Sequence, residues 1–198
     1  MTDRFLFVSF ISLFVLPIAR LEGLLLPKAA GRGLAVALTL LNAFVLYVPW
    51  AVAVVATRHL MINPVAILGF IMVAAGLFLL AVALFPILRV PGQMRSFPER
   101  LVVEGPYQYV RHPIYLSHFL LIGGAALACG ALKVFLETPI VLGMAAIGGK
   151  YEESKRLLPL FGEAFEQYRA RTHFLLPVRG WIAIGFIYGL IAFRVLFP

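Results

Sequence analysis

The sequence holds a single cysteine and very little charge. Of its 198 residues only 13% are Asp, Glu, Lys or Arg, with nine acids against seventeen bases. One cysteine, Cys129, excludes an intrachain disulfide and any CxxC redox or metal motif. It sits in an apolar run and reads as a small buried hydrophobe. The shortage of charge is also uneven, since no charged residue occurs from Gly33 to Thr57 or from Leu60 to Leu88. Each stretch exceeds the roughly 20 residues that cross a bilayer core as a helix. With 62% hydrophobic residues and a mean hydropathy of +0.97, the chain lies outside the ~45–50% apolar range of soluble domains. These features define an integral membrane protein.

What charge there is lies in short segments between the apolar runs. The net charge of +8 therefore points to an anionic lipid surface and not to nucleic acid. The first apolar run, residues 5–26, lacks an A-x-A cleavage signal and is followed by further spans. It reads as a retained first helix closed by Pro27, with Arg20 and Glu22 at the interface. Residues 33–57 and 60–88 predict spans two and three. Placing the segments 20–32, 89–111 and 150–179 on one side gathers thirteen of the seventeen Lys and Arg residues there. By the positive-inside rule that side is cytoplasmic and the N-terminus lies outside.

Between Arg89 and Arg111 the composition breaks, with Pro91, Gly92, Pro98, Gly105 and Pro106 predicting an ordered irregular segment. The apolar stretch from His112 to Lys150, interrupted only by His118, Lys133 and Glu137, is too short for two full spans and a turn. It predicts a short helical hairpin turning between Gly130 and Thr138, with Thr138-Pro139 capping and opening the second arm. The small residues Gly123, Gly124 and Ala126 on one arm and Gly143, Ala145 and Gly149 on the other are expected to bring the arms together. In residues 151–171, Leu157, Phe161, Phe165 and Tyr168 recur at helical spacing among charges, which predicts an amphipathic surface helix bent near Pro159 and Gly162. The last run, Trp181 to Phe193, leaves open an interfacial or an inserted position. The expected fold is an all-α polytopic membrane bundle of about five transmembrane helices, with a short C-terminal helical hairpin and a cytoplasmic amphipathic helix. Its expected parts are three N-terminal helices over 1–88, a catalytic and cofactor-binding region over 89–177 and an apolar segment over 178–198.

The most informative stretch is Gly105-Pro106-Tyr107-Gln108-Tyr109-Val110-Arg111-His112-Pro113-Ile114-Tyr115, which sets a guanidinium, an imidazole and three phenols at the mouth of an apolar segment. Ionisable groups at such a depth are costly and mark function. Leu101-Val102-Val103-Glu104-Gly105-Pro106-Tyr107, Arg111-His112-Pro113-Ile114-Tyr115, Glu152-Glu153, Leu157, Phe161-Gly162 and Tyr168, in this order and spacing, resemble the isoprenylcysteine carboxyl methyltransferase superfamily of membrane enzymes. The resemblance covers residues 90–177; residues 1–88 match only as generic spans.

This resemblance implies S-adenosylmethionine (SAM) as methyl donor, bound on the cytoplasmic side. It carries cofactor contacts over to Gln93, Leu101, Val102, Tyr107, His112, Pro113, Ile114, Tyr115 and Glu153, with Glu152 beside them, and catalytic roles to Arg111, His112, Tyr115 and Glu153. The chain departs from the pattern in three places. The acidic pair is shifted by one, with Ser154 in its second position, which leaves open which acid works. Ser117 stands where Gly is common, and Arg171-Thr172-His173 replace the usual residues after the last Tyr.

The residue types fit this chemistry in their own right. A sulfonium and an ammonium are stabilised by the carboxylates of Glu152 and Glu153 and by the faces of Tyr107 and Tyr115, and a carboxylate by Arg111 or His112. Methyl transfer needs positioning and exclusion of water, and no metal. Lys150 is a candidate for an anionic substrate group. The acceptor is expected to be a lipophilic small molecule or a lipid arriving from the membrane.

Two other readings compete. Membrane sterol reductases that use NADPH have a related C-terminal region with R-x-P-N-Y followed shortly by Glu, but this chain has Ile114 at the Asn and Ser117-His118 after it. A non-enzymatic or haem-binding protein would use His112 and His118 as ligands. His118, one turn past Tyr115, is read more simply as a hydrogen-bonded histidine in the hairpin core.

Overall fold

The computed structural model describes residues 63–89 and 100–197, together with isolated helical positions between Ala37 and Val55. The expected first span over 5–26, most of the second, and Gln93 lie outside the described residues. Among those described, three helices are long and apolar enough to cross a membrane, a fourth is shorter, and no strand forms.

The first of them, α1 (Pro64–Arg89), has 26 residues, a length of about 39 Å at 1.5 Å per residue and more than the ~30 Å of a hydrocarbon core. Asn63 caps it, its Oδ1 accepting from the Ala66 N–H at 3.0 Å. The hairpin follows as α2 (Pro113–Ala128), the short α3 (Leu132–Glu137) and α4 (Pro139–Glu152). Gly130 turns the chain with a φ of 68°, which an L side chain rarely adopts. Ala131 N–H donates to Ala126 O at 2.8 Å and Gly130 N–H to Leu127 O at 3.0 Å, the paired bonds of a Schellman end. The turn thus falls where the sequence placed it.

Two expectations about the hairpin are corrected. Thr138 takes the N-cap position of α4, but its side chain does not cap the helix. Its Oγ1 donates back to Phe135 O at 2.7 Å and also meets the Tyr188 hydroxyl, while Pro139 opens the helix as expected. The tightest small-residue contact is also not between the arms but between α2 and α1. A Cβ built on Gly69 would lie 2.2 Å from Ala128 N, and one on Gly124 would lie 2.8 Å from Gly69 O. Periodic glycines declare that a helix can approach closely, but not which neighbour it approaches.

Beyond α4 the helix opens into a π turn, Glu153–Leu157, where Leu158 N–H reaches back five residues to Glu153 O. Pro159 supplies a cause, because it has no N–H for the Lys155 carbonyl and its ring crowds that turn. Then α5 (Leu158–Arg171) carries the amphipathic stripe, with Phe165 fully buried. It breaks at Gly162, whose φ of 47° and ψ of −122° are not helical, so of the two expected bend points the glycine makes the kink and the proline the π turn. Residues 132–171 run on as one helical stretch of 40 residues, mostly apolar over 132–149 and charge-rich from Tyr151 onward.

The C-terminal segment is a 19-residue helix, α6 (Val178–Leu196), apolar enough to cross a membrane. Ile182, Phe186, Leu190 and Phe193 are all more than half exposed and share one face, as expected of a side turned to lipid. Its other face docks through Tyr188, whose ring stacks on Phe135 at 4.5 Å.

Candidate functional site

The site is assembled where the loop before α2 meets the π turn and the strand-like residues after α5. A 3₁₀ turn, Gly105–Gln108, points Tyr107 inward. Tyr107 packs with Ala83, Ile87, Val102 and Ile114 in a small apolar cluster of its own. Pro86 has no N–H to give the Val82 carbonyl, and Gly105 lies against that point, where a Cβ would come to 3.9 Å from Val82 O. Tyr168 on α5 donates its hydroxyl to Tyr107 O at 2.8 Å, tying the amphipathic helix to the motif.

Residues 109–112 then pair with 173–174 through backbone bonds: His173 N–H to Tyr109 O at 2.9 Å, Arg111 N–H to His173 O at 2.9 Å and His112 N–H to Phe174 O at 3.3 Å. This short bridge fixes Arg111 and His112 over the π turn. Arg111 Nε donates to Glu153 Oε1 at 2.7 Å, and His112 Nε2 donates to the same oxygen at 2.9 Å. The second arm of the guanidinium donates to Thr172 O at 2.6 Å and Arg169 O at 3.1 Å. The side chains of Arg111, His112 and Glu153 are only 11%, 5% and 10% exposed. Burial works to raise the Glu153 carboxyl, but the hydrogen bonds from His112 and Arg111 outweigh it and hold the group below the usual carboxylate range.

Glu152, one residue earlier, belongs to a second group. It accepts from Arg156 Nη1 at 2.8 Å, and its charge reaches the phenols of Tyr107 and Tyr115. Burial pushes the Tyr107 phenol up, and the Glu152 carboxylate adds to that shift. His112 links the two groups, its ring 5.5 Å from Tyr115 and 4.7 Å from Phe174.

Of the residues singled out from sequence, Arg111, His112, Tyr115, Glu152 and Glu153 converge, and Val102, Tyr107 and Ile114 form the adjoining apolar wall. Pro113 is buried as the first residue of α2 and Leu101 is half-buried. Lys150 is exposed and joins none of these bonds. His118 is bonded to the Tyr47 hydroxyl, so the two imidazoles considered as haem ligands serve different partners.

Sequence reasoning missed four residues. Phe174 and Thr172 hold His112 and Arg111; the only signal was the irregular stretch after Tyr168. Arg156 lies among the charges of the expected amphipathic helix, with nothing to set it apart. Gly149 looked like helix packing, yet a Cβ there would lie 2.8 Å from Phe174 Cζ and 3.1 Å from His112 Nε2. Gly149→Ala should therefore push the imidazole off Glu153 and cost about 1–2 kcal/mol, seen as a lowered unfolding temperature with lower activity. Unchanged activity would show that His112 can give way.

Fold and site together define a helical membrane protein with a buried arginine–histidine–glutamate clamp at the polar end of an apolar hairpin. The profile of the family described as phospholipid methyltransferase matches residues 64–164, and the chain belongs to that family. It is 35% identical over 74 residues to methanethiol S-methyltransferase of Crocosphaera subtropica, which covers 37% of this chain and 28% of that protein. It is 31% identical over 84 residues to protein-S-isoprenylcysteine O-methyltransferase of Schizosaccharomyces pombe, covering 42% of this chain and 36% of that one. The matched stretches thus span little more than a third of either relative at most. No solved structure matches the chain.

Proposed function

We propose that this protein transfers a methyl group from SAM to a lipophilic or membrane-partitioning acceptor. The observation that carries the reading is the division of the acidic pair: Glu153 holds Arg111 and His112 in place, while Glu152 is bonded to Arg156 and lies within electrostatic reach of the Tyr107 and Tyr115 phenols. A carboxylate and two aromatic faces suit a sulfonium and an ammonium, and a guanidinium suits a carboxylate. SAM would supply an activated methyl group on a positively charged sulfur. The chain's own task is then to bind, to align and to exclude water.

In this reading Tyr107, Tyr115 and Glu152 hold the cationic part, and Leu101, Val102, Pro113 and Ile114 form the apolar wall, with Gln93 on the approach. Arg111, His112 and Glu153 fix the shape of the pocket from behind. The acceptor enters sideways from the bilayer, and exposed Lys150 meets any anionic group it carries. A phospholipid amine, a small thiol, a prenylcysteine carboxylate and an isoprenoid acid all fit an apolar approach; the family name and the two relatives span the first three. The charge distribution of the loops supports a cytoplasmic SAM site, an outward N-terminus and a catalytic region within 89–177.

Calorimetry on the purified chain tests the donor. SAM and S-adenosylhomocysteine should bind and protect against thermal unfolding, and NADPH should do neither. Protection by NADPH with no binding of S-adenosylhomocysteine would replace this reading with the reductase one.

A further inference from the structure

We infer that Arg156, together with Glu152, forms a clamp for a zwitterionic amino-acid group, and that this clamp takes the methionine end of SAM. The inference rests on SAM being the donor and adds a residue and a division of labour to that reading.

Three ion pairs join residues three or four apart in the described chain, and they are not alike. Arg100–Glu104 and Arg169–Glu166 have side chains 42–58% exposed, as expected of solvated helix pairs worth little. The Arg156–Glu152 pair is 17% and 24% exposed. Withdrawing an ion pair that far from water is costly unless its geometry is good and further polar groups surround it. The pair is also not on an open face: Glu152 lies within electrostatic reach of Tyr107 and Tyr115, and Arg156 within reach of Tyr115. Tyr107 is itself nearly buried.

The π turn explains how both acids can be used. By adding a residue to the turn that starts at Glu153, it lets Glu153 point back to Arg111 and His112 while Glu152 and Arg156 stay together on the side of the phenols. Arg111 is oriented by other bonds, its Nε to Glu153 and its Nη1 to Arg169 O and Thr172 O. Arg156 is the guanidinium that borders the phenol side. An α-amino acid offers an ammonium and a carboxylate on one carbon, and a carboxylate beside a guanidinium is its complement in charge and spacing.

The test compares two ligands that share a thioadenosine. S-adenosylhomocysteine has the amino-acid end and 5′-methylthioadenosine lacks it. Titrated into the full chain in detergent, Arg156→Gln should weaken S-adenosylhomocysteine by about tenfold or more, the scale of a hydrogen bond to a charged group. It should leave 5′-methylthioadenosine within about twofold, less than any such bond is worth. Glu152→Gln should show the same selectivity. If Arg156→Gln does not fold, Arg156→Lys, which keeps the charge but not the fork, should still lose S-adenosylhomocysteine selectively. Equal weakening of both ligands, or an unchanged affinity for S-adenosylhomocysteine in a folded variant, would overturn the clamp. A wild-type chain that binds neither ligand would instead remove SAM as the donor.

Discussion

Glu153→Gln should abolish methyl transfer and lower the unfolding temperature more than any other single change in the site. One carboxylate oxygen receives both Arg111 at 2.7 Å and His112 at 2.9 Å, and all three side chains are nearly out of solvent. Removing one member of such a cluster leaves a buried guanidinium without its counter-charge, which costs about 3–5 kcal/mol. The loss should propagate, because Arg111 also ties the motif to Thr172 and Arg169. Both S-adenosylhomocysteine and 5′-methylthioadenosine should then bind worse, in contrast to the selective loss expected for Glu152→Gln, and Glu153→Gln should be the more damaging of the two for SAM. Thermal unfolding and calorimetry on the two variants read this directly; the reverse ranking would show that the site keeps its shape without the Glu153 bonds. Acid should act in the same direction. The Glu153 carboxyl sits below its ordinary value of 4.5 in the folded chain, so its contribution is complete above that pH and disappears as pH falls through the lowered value.

Gly69→Ala should be the most damaging single methyl group in the described chain. Its Cβ would lie 2.2 Å from Ala128 N and 2.7 Å from Gly124 O, so backbone has to move and α1 and α2 have to separate. Overpacking of a well-packed site costs about 1–3 kcal/mol, and more where no side chain can yield; the upper end or beyond is expected here. Gly143→Ala supplies the control. Nothing lies within 4 Å of a Cβ at that position, and replacing glycine in a helix interior should gain about 0.5–1 kcal/mol. Unfolding temperatures that move in opposite directions would support the packing; a tolerated Gly69→Ala would contradict the close approach of α1 and α2.

How much of this was legible depended on whether a feature is written in one stretch of chain or between two. The uncharged run over 60–88, the Gly130 turn and the spacing of Phe161, Phe165 and Tyr168 are local patterns, and each predicted its element. The motif Arg111-His112-Pro113 announced itself because charge at the mouth of an apolar helix is costly wherever it points. The bonds of Arg111 to Glu153, Thr172 and Arg169 were not legible, because all three partners lie more than forty residues further along the chain. Thr138 looked like a cap because threonine commonly is one, but in an apolar hairpin its hydroxyl finds Phe135 O and Tyr188 instead. Phe174 had no signal of its own, since an aromatic residue after an irregular stretch has no period to betray it. The π turn was hidden for the same reason: Pro159 suggested a bend, but only the position of Glu153 against Arg111 shows why the turn widens there.

The central claim is that SAM lies between the Gly105–Tyr115 motif and the turn bearing Glu152, Glu153 and Arg156. Ultraviolet cross-linking of methyl-labelled SAM to the membrane-embedded chain, followed by peptide mapping, tests it most directly. The account predicts label in peptides covering 101–115 and 150–157, suppressed by excess S-adenosylhomocysteine and lost in Glu153→Gln. Competed label confined to other parts of the chain, or none in a folded protein, would contradict it.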